Sequence, residues 1–227
     1  NIMLDAKDSK LIITATDLDL IFIHDLKNIE ILEEGRTTTT SSIMYDIVRK
    51  FSAGKKINLT LNDLNKLHLE SDKSIFNLNC IDASEFPLTD ENFSENEFQI
   101  GSKEFLKLLN KCKFSVSNDE TRHYLSGIYL HQTEFEEKNY LTAVATDSHR
   151  MSISKIRLND KINFEPIILP KKTIFQLCSL LDNYDGDVKI SNAKSKIKFE
   201  LKNSILISKL IDGKFPNYIQ VIPKNNK

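Results

Sequence analysis

The densest group of reactive side chains in this 227-residue chain is Thr146-Asp147-Ser148-His149-Arg150. A hydroxyl, an imidazole and a carboxylate side by side suggest a hydrolase, with Ser148 as nucleophile and His149 and Asp147 behind it. The spacing argues against that chemistry. Adjacent side chains of an extended segment point to opposite faces, so Ser148 and His149 would not pair. The plainest reading is a strand running into a turn with ordinary polar bonds. A binding role fits the residue types better. Thr146, His149 and Arg150 beside the apolar Met151 and Leu125 make a shallow apolar pocket with a polar rim. Such a pocket suits a peptide with a hydrophobic anchor.

A second group is cationic. Lys103, Lys107 and Lys111 recur every four residues opposite an apolar stripe, with Lys113 close by. Residues 102–114 carry four lysines and one acid inside a chain of net charge −1. Lys171-Lys172 follow Pro170 at the start of another helical pattern, where cations oppose the helix dipole. A lysine stripe touches phosphates without reading base sequence. A solvated helix face is the alternative.

Other chemistry is missing. The six glycines form neither a phosphate-binding loop nor a dinucleotide fingerprint. His24, His68, His123, His131 and His149 are scattered, and no zinc-protease, nucleophile-elbow or Cys-x-x-Cys pattern occurs. Nothing in the sequence implies a cofactor or a metal. Cys80, Cys112 and Cys178 are far apart and set in apolar surroundings, which predicts buried, reduced thiols in a cytoplasmic protein. There is no signal peptide and no uncharged apolar run long enough to span a bilayer. With 40% apolar residues and 31 basic against 32 acidic side chains, the chain is neither disordered nor uniformly basic.

The elements that position these groups come in duplicate. Ala15-Thr16-Asp17 recurs as Ala145-Thr146-Asp147, an offset of 130 residues. The same register pairs Met44, Ile47 and Phe51 with Ile174, Leu177 and Leu181. It also pairs Leu67, Leu69 and Glu70 with Ile197, Phe199 and Glu200, and Ser74-Ile75 with Ser204-Ile205. Phe86-Pro87 returns one residue early as Phe215-Pro216. The repeat predicts a first domain over 1–95 and a second over 96–223, with 224–227 starting a linker. An acidic stretch, 82–97, separates the two domains. The helical pattern at 102–117 has no counterpart ahead of Asn1, so roughly 30 residues of the first unit are expected to lie outside this chain.

Period-two patterns predict strands at 9–24, 57–61, 66–70, 74–81, 139–145, 151–157, 187–191, 195–201 and 204–211. Amphipathic patterns predict helices at 41–52, 102–114 and 171–183. The fold class is α+β, with one helix packed on each sheet.

Three stretches resemble the bacterial sliding clamps, the β subunits of DNA polymerase III. Ala145-Thr146-Asp147-Ser148-His149-Arg150-Met151 resembles their Ala-Thr-Asp-Gly-His-Arg-Leu. Arg122-His123-Tyr124-Leu125-Ser126-Gly127 resembles Arg-Tyr-Tyr-Leu-Asn-Gly. The run from Ser208 to Tyr218 resembles Ser-Lys-Leu-Val-Asp-Gly-Arg-Phe-Pro-Asp-Tyr. The resemblance covers the whole chain. It implies duplicated DNA-clamp domains, each with helices packed on antiparallel sheets. This chain would be most of the first domain and all of the second.

The implied function is that of a non-catalytic processivity factor, a homodimeric ring around duplex DNA. Its implied partners are the replicative polymerase, the clamp loader, and other polymerases and repair proteins. At matched positions, Leu125, Thr146, Ser148, His149, Arg150, Met151, Pro216 and Val221 would form a groove for Gln-Leu-x-Leu-Phe motifs, completed by a third domain. Lys171, Lys172, His123 and Tyr124 would face DNA, as would the Lys103 and Lys107 stripe. Phe76 would lie at the dimer contact. Without a third domain this chain is expected to be a monomer or weak associate.

The sequence departs from the family at several points. Ser148 replaces a Gly, Gln220 stands where an Arg is common, and His123 replaces a Tyr. Asp119 and Glu120 are acidic, and Ser41, Ser42 and Ile43 replace bases. Two other readings are the hydrolase above and a peptide-binding scaffold with no DNA role.

Overall fold

The structure, a computed structural model, describes residues 1–87, 93 and 97–223. The chain divides into two compact units, 1–91 with 202–207 and 92–201 with 208–227. The expected boundary at 95/96 and the expected linker at 224–227 lie outside the described residues. So do residues 88–92 and 94–96 of the acidic stretch. Asp82, Glu85 and Glu97 are described, and Asp82 accepts from the Ser84 N–H at 2.8 Å.

The first unit holds β1 (Ile2–Lys7), β2 (Lys10–Thr16), β3 (Leu20–Leu26), β4 (Gly35–Thr39), α1 (Ser41–Val48), β5 (Asn58–Leu61), β6 (Lys66–Ser71) and β7 (Ser74–Ile81). Its strands run in the order β5-β6-β7-β4-β1-β2-β3, with antiparallel neighbours. Alternation on β6 turns Leu67 and Leu69 inward to meet Leu4 and Leu78. Met44 and Ile47 of α1 pack on that cluster, while Ile43, Tyr45 and Val48 on the same helix are exposed.

The second unit holds β8 (Glu97–Gly101), α2 (Ser102–Cys112), β9 (Gly127–Phe135), β10 (Lys138–Thr146), β11 (Met151–Arg157), β12 (Ile167–Pro170), α3 (Lys171–Asp182), β13 (Asp187–Asn192) and β14 (Lys196–Glu200). The units divide within β15 (Ser204–Lys209). Antiparallel β11-β10-β9-β12 form one sheet, and β13 pairs with β8 and β14. α2 packs on β10 and β11, α3 packs on β9 and β12, and the helices pack on each other. Their buried apolar positions share one spacing: Phe105, Leu108, Leu109 and Cys112, then Ile174, Leu177, Cys178 and Leu181. Fully withdrawing each large side chain contributes about 2 kcal/mol. Here two helices share one sheet, where the sequence predicts one helix per sheet. Two equivalent stripes side by side cover a four-stranded face that one helix would leave half bare.

Other expectations change in detail. The single strand expected at 9–24 is two strands, because Leu18 adopts φ 77° in a turn between them. The helix expected at 41–52 ends at Val48, and single-turn bonds from Lys50 and Phe51 lead to Gly54 at φ 81°. β1, β4, β8, β9 and β12 add to the expected strands. β4 hides from pattern reading because Thr37, Thr38 and Thr39 are all buried, leaving no alternation. Cys112 and Cys178 are buried free thiols as expected, but Cys80 is half-buried. Burial pushes the Cys112 thiol up to about 11. No helix among the described residues is long and apolar enough to cross a membrane.

Candidate functional site

The segment from Thr146 to Met151 joins β10 to β11, and Thr146 pairs with Met151 across the two strand ends. Its geometry is a closed polar turn. Thr146 Oγ1 donates to the Arg150 carbonyl at 2.8 Å and accepts from the Ser148 N–H at 3.1 Å. Asp147 Oδ1 accepts from the N–H groups of His149 and Arg150, both at 3.0 Å. Asp147 Oδ2 accepts from Arg150 Nε at 3.0 Å. The Arg150 N–H, followed by that of His149, holds the Asp147 carboxyl below the usual carboxylate range. Ser148 sits at φ 76°, a left-handed conformation.

Ser148 and His149 therefore lie in a turn, not in the extended segment the sequence reading assumed. The triad still fails, for a different reason. Both Asp147 oxygens are committed to backbone amides and Arg150, and Ser148 Oγ accepts from Arg122 Nη1 at 2.7 Å. The three side chains build a turn and not a proton relay.

Beside the turn lies an apolar cluster of Leu125, Val144, Ile168, Phe215 and Tyr218, with Tyr124, Tyr129, Met151 and Ile211 packed against it. Leu125 is only 3% exposed, so it forms the floor, while half-buried Met151 forms a wall. Val221 closes the single-turn helix Tyr218–Val221 and is 69% exposed. Pro216 is exposed beside buried Phe215. His149 and Arg150 are exposed at the rim, and the Arg150 guanidinium lies 5.6 Å from the centre of the Phe114 ring.

An aromatic tier supports this floor. The Phe215 and Tyr129 rings stack at 4.9 Å, and Tyr129 stacks on His131 at 4.6 Å. His131 Nε2 lies 3.1 Å from the Tyr218 hydroxyl. Burial pushes the His131 imidazole below its ordinary value and the Tyr129 and Tyr218 hydroxyls above theirs. The sequence reading missed Arg122, Tyr129, His131 and Val144. Tyr129 and His131 alternate on β9, a period-two signal that leads to β9 itself once that strand is recognised.

The cationic positions fall elsewhere in the unit. Lys103, Lys107 and Lys111 occupy the exposed face of α2, and Lys103 pairs with Asp185 at 3.0 Å. Lys171 and Lys172 open α3, whose first turn has no acid, and Lys171 Nζ donates to Asn118 Oδ1. His123 is exposed, with its ring edge-on to Tyr124 at 5.8 Å. In the first unit Phe76 is 38% exposed and lies 6.0 Å from the Phe51 ring. Among the described residues no cluster of His, Cys, Asp or Glu could hold a metal ion.

Comparison with known proteins assigns both units. Residues 1–90 match the N-terminal domain of the DNA polymerase III beta subunit, and 99–217 match its central domain. A beta sliding clamp of Caulobacter vibrioides is 33% identical over 100% of this chain and 61% of that protein. One from Rickettsia bellii is 38% identical over 100% of this chain and 59% of that protein. The crystal structure of a Bartonella birtlesii sliding clamp superposes with TM-score 0.95 at 33% identity, covering 100% of this chain and 61% of that one. The architecture is thus the sliding-clamp fold, and the chain spans about 60% of the length of these relatives. Two adjoining domain matches and this fold likeness lead to one conclusion: the chain belongs to the DNA polymerase III beta-subunit family, the bacterial sliding clamps.

Proposed function

We propose that this chain is part of a DNA polymerase processivity factor, a sliding clamp without catalytic activity. The protein containing it would close a homodimeric ring around duplex DNA, without regard to sequence, and tether the replicative polymerase. The clamp loader, other polymerases and repair proteins would use the same groove. The observation that carries the reading is the Leu125–Met151 apolar cluster rimmed by the Thr146–Arg150 turn, within a central clamp domain.

Each group has a role in this reading. Leu125, Met151, Pro216 and Val221 take the apolar side chains of a Gln-Leu-x-Leu-Phe peptide. Thr146 and Ser148 shape the rim, and His149 and Arg150 orient the peptide backbone. Lys103, Lys107, Lys171, Lys172, His123 and Tyr124 meet phosphates as diffuse charge and polar contact, which suits a ring that must slide. Phe76 contributes to the contact between subunits. We assign the first domain to 1–95 and the second to 96–223.

The test is primer extension on a long circular template with loader and polymerase. Adding the protein should lengthen products per binding event, and free Gln-Leu-x-Leu-Phe peptide should reverse the gain. Unchanged product length with an active loader would contradict the proposal.

A further inference from the structure

The turn that carries Ser148 does not need the serine hydroxyl. Its counterpart in the first unit is built from the same bonds without one. Thr16 Oγ1 donates to the Leu20 carbonyl at 2.8 Å and accepts from the Leu18 N–H at 3.0 Å. Asp17 Oδ1 accepts from the N–H groups of Asp19 and Leu20 at 3.1 and 2.9 Å. Leu18 takes the left-handed position at φ 77°, as Ser148 does at φ 76°. A hydroxyl that the turn does not require, on a backbone better suited to glycine, points to another use.

That use is visible in the partner the hydroxyl has among the described residues. Ser148 Oγ accepts from Arg122 Nη1 at 2.7 Å, and Arg122 Nε donates to Asp119 Oδ2 at 2.8 Å. Asp119 Oδ1 is itself held by the Thr121 N–H at 3.0 Å and the Thr121 hydroxyl at 2.6 Å. Arg122 has non-helical φ −110° and ψ 58°, a kink between the two short helical turns of Glu120–Leu125. Leu125, at the end of that segment, is the buried floor of the apolar cluster. The guanidinium therefore spans two separate walls, the 119–125 segment and the 146–151 turn.

We propose that Ser148 is a positioning residue of the groove: its hydroxyl latches Arg122 across the rim and fixes the Leu125 floor and the Met151 wall before a peptide arrives. This rests on the peptide-groove reading above. Holding the walls in advance lowers the ordering cost of binding and slows dissociation. Pairing with Asp119 offsets the Arg122 charge, so the latch acts through position more than through attraction for an acidic peptide.

The experiment measures binding of a labelled Gln-Leu-Ser-Leu-Phe peptide to the intact protein and to variants. Ser148→Gly suits the backbone and removes the acceptor. Ser148→Asn tolerates the left-handed conformation and keeps an acceptor. Ser148→Gly and Arg122→Gln should each weaken binding about three- to tenfold through faster dissociation, and the double variant should be no weaker than either single one. Ser148→Asn should stay within about twofold of the parent, and Ser148→Gly should not lower the unfolding midpoint. Unchanged or tighter binding by Ser148→Gly, additive losses, or a loss that tracks a lowered midpoint would overturn the latch alone. No binding by the parent protein would overturn the groove reading and the latch with it.

Discussion

Leu18 and Ser148, 130 residues apart, hold the same left-handed backbone conformation in the same hydrogen-bonded turn. The duplicated Ala-Thr-Asp motif is thus a device of the fold. Thr supplies a hydroxyl and Asp a carboxylate that satisfy amides where one strand turns into the next. Functional differences between the units must ride on the positions between and after these residues. The first unit has Leu18, Asp19 and Leu20, and the second has Ser148, His149 and Arg150.

Replacing either threonine should therefore weaken the fold to a similar degree. Thr16→Val and Thr146→Val each remove two hydrogen bonds of a half-exposed hydroxyl, and each should cost about 1–2 kcal/mol in denaturant unfolding. Peptide binding should fall only with Thr146→Val. A loss with Thr16→Val as well would contradict the separation of fold and function between the two turns.

Gly127 is a packing requirement. A Cβ there would sit 2.4 Å from the Leu169 carbonyl oxygen, a main-chain atom of the neighbouring strand that cannot swing aside. Gly127→Ala should destabilise the second unit by about 2–3 kcal/mol, read as a lowered denaturant midpoint. A neutral effect would mean that β9 and β12 separate more easily than their pairing implies.

His131 should make stability depend on pH. Burial lowers its folded-state value below the ordinary 6.5, and the Lys155 charge acts in the same direction. The unfolded chain therefore binds the proton more readily than the folded one. Stability should be intact above 6.5 and fall as pH drops from there toward the depressed folded value. His131→Phe should flatten this part of the profile, although losing the Tyr218 contact lowers the plateau. Asp119, held down to about 2 first by the Thr121 hydroxyl, works at more acid pH, its contribution fading from 3.8 toward 2. An unaltered slope below 6.5 in His131→Phe would assign the dependence to other groups.

Peptide and DNA binding should separate by mutation. Met151→Ala removes an apolar wall and should weaken peptide binding about tenfold while leaving DNA loading unchanged. Lys171→Glu with Lys172→Glu should do the opposite, with the loss largest at low salt and shrinking as salt rises. Parallel losses in both variants would indicate damage to the fold.

Much of this was legible from the residues. The helix faces at 105/108/109/112 and 174/177/178/181 show at helical spacing, and so does the duplication. What the sequence concealed depends on tertiary context. The buried Thr37-Thr38-Thr39 run carries no polar–apolar alternation, so β4 was invisible. The break at Leu18 depends on side-chain bonds from Thr16 and Asp17, because leucine itself gives no turn signal. At the groove, Leu125 and Met151 were readable beside the polar turn. Arg122 and His131 were not, because their roles depend on partners 26 and 87 residues away.

The central claim is topological retention on DNA. The direct measurement loads the full-length protein onto nicked circular DNA with its loader, cuts the circle once, and follows the bound fraction. The account predicts stable retention on the circle and rapid loss once a free end exists. Equal retention on circular and linear DNA would contradict it, because groove or phosphate binding does not depend on a closed path.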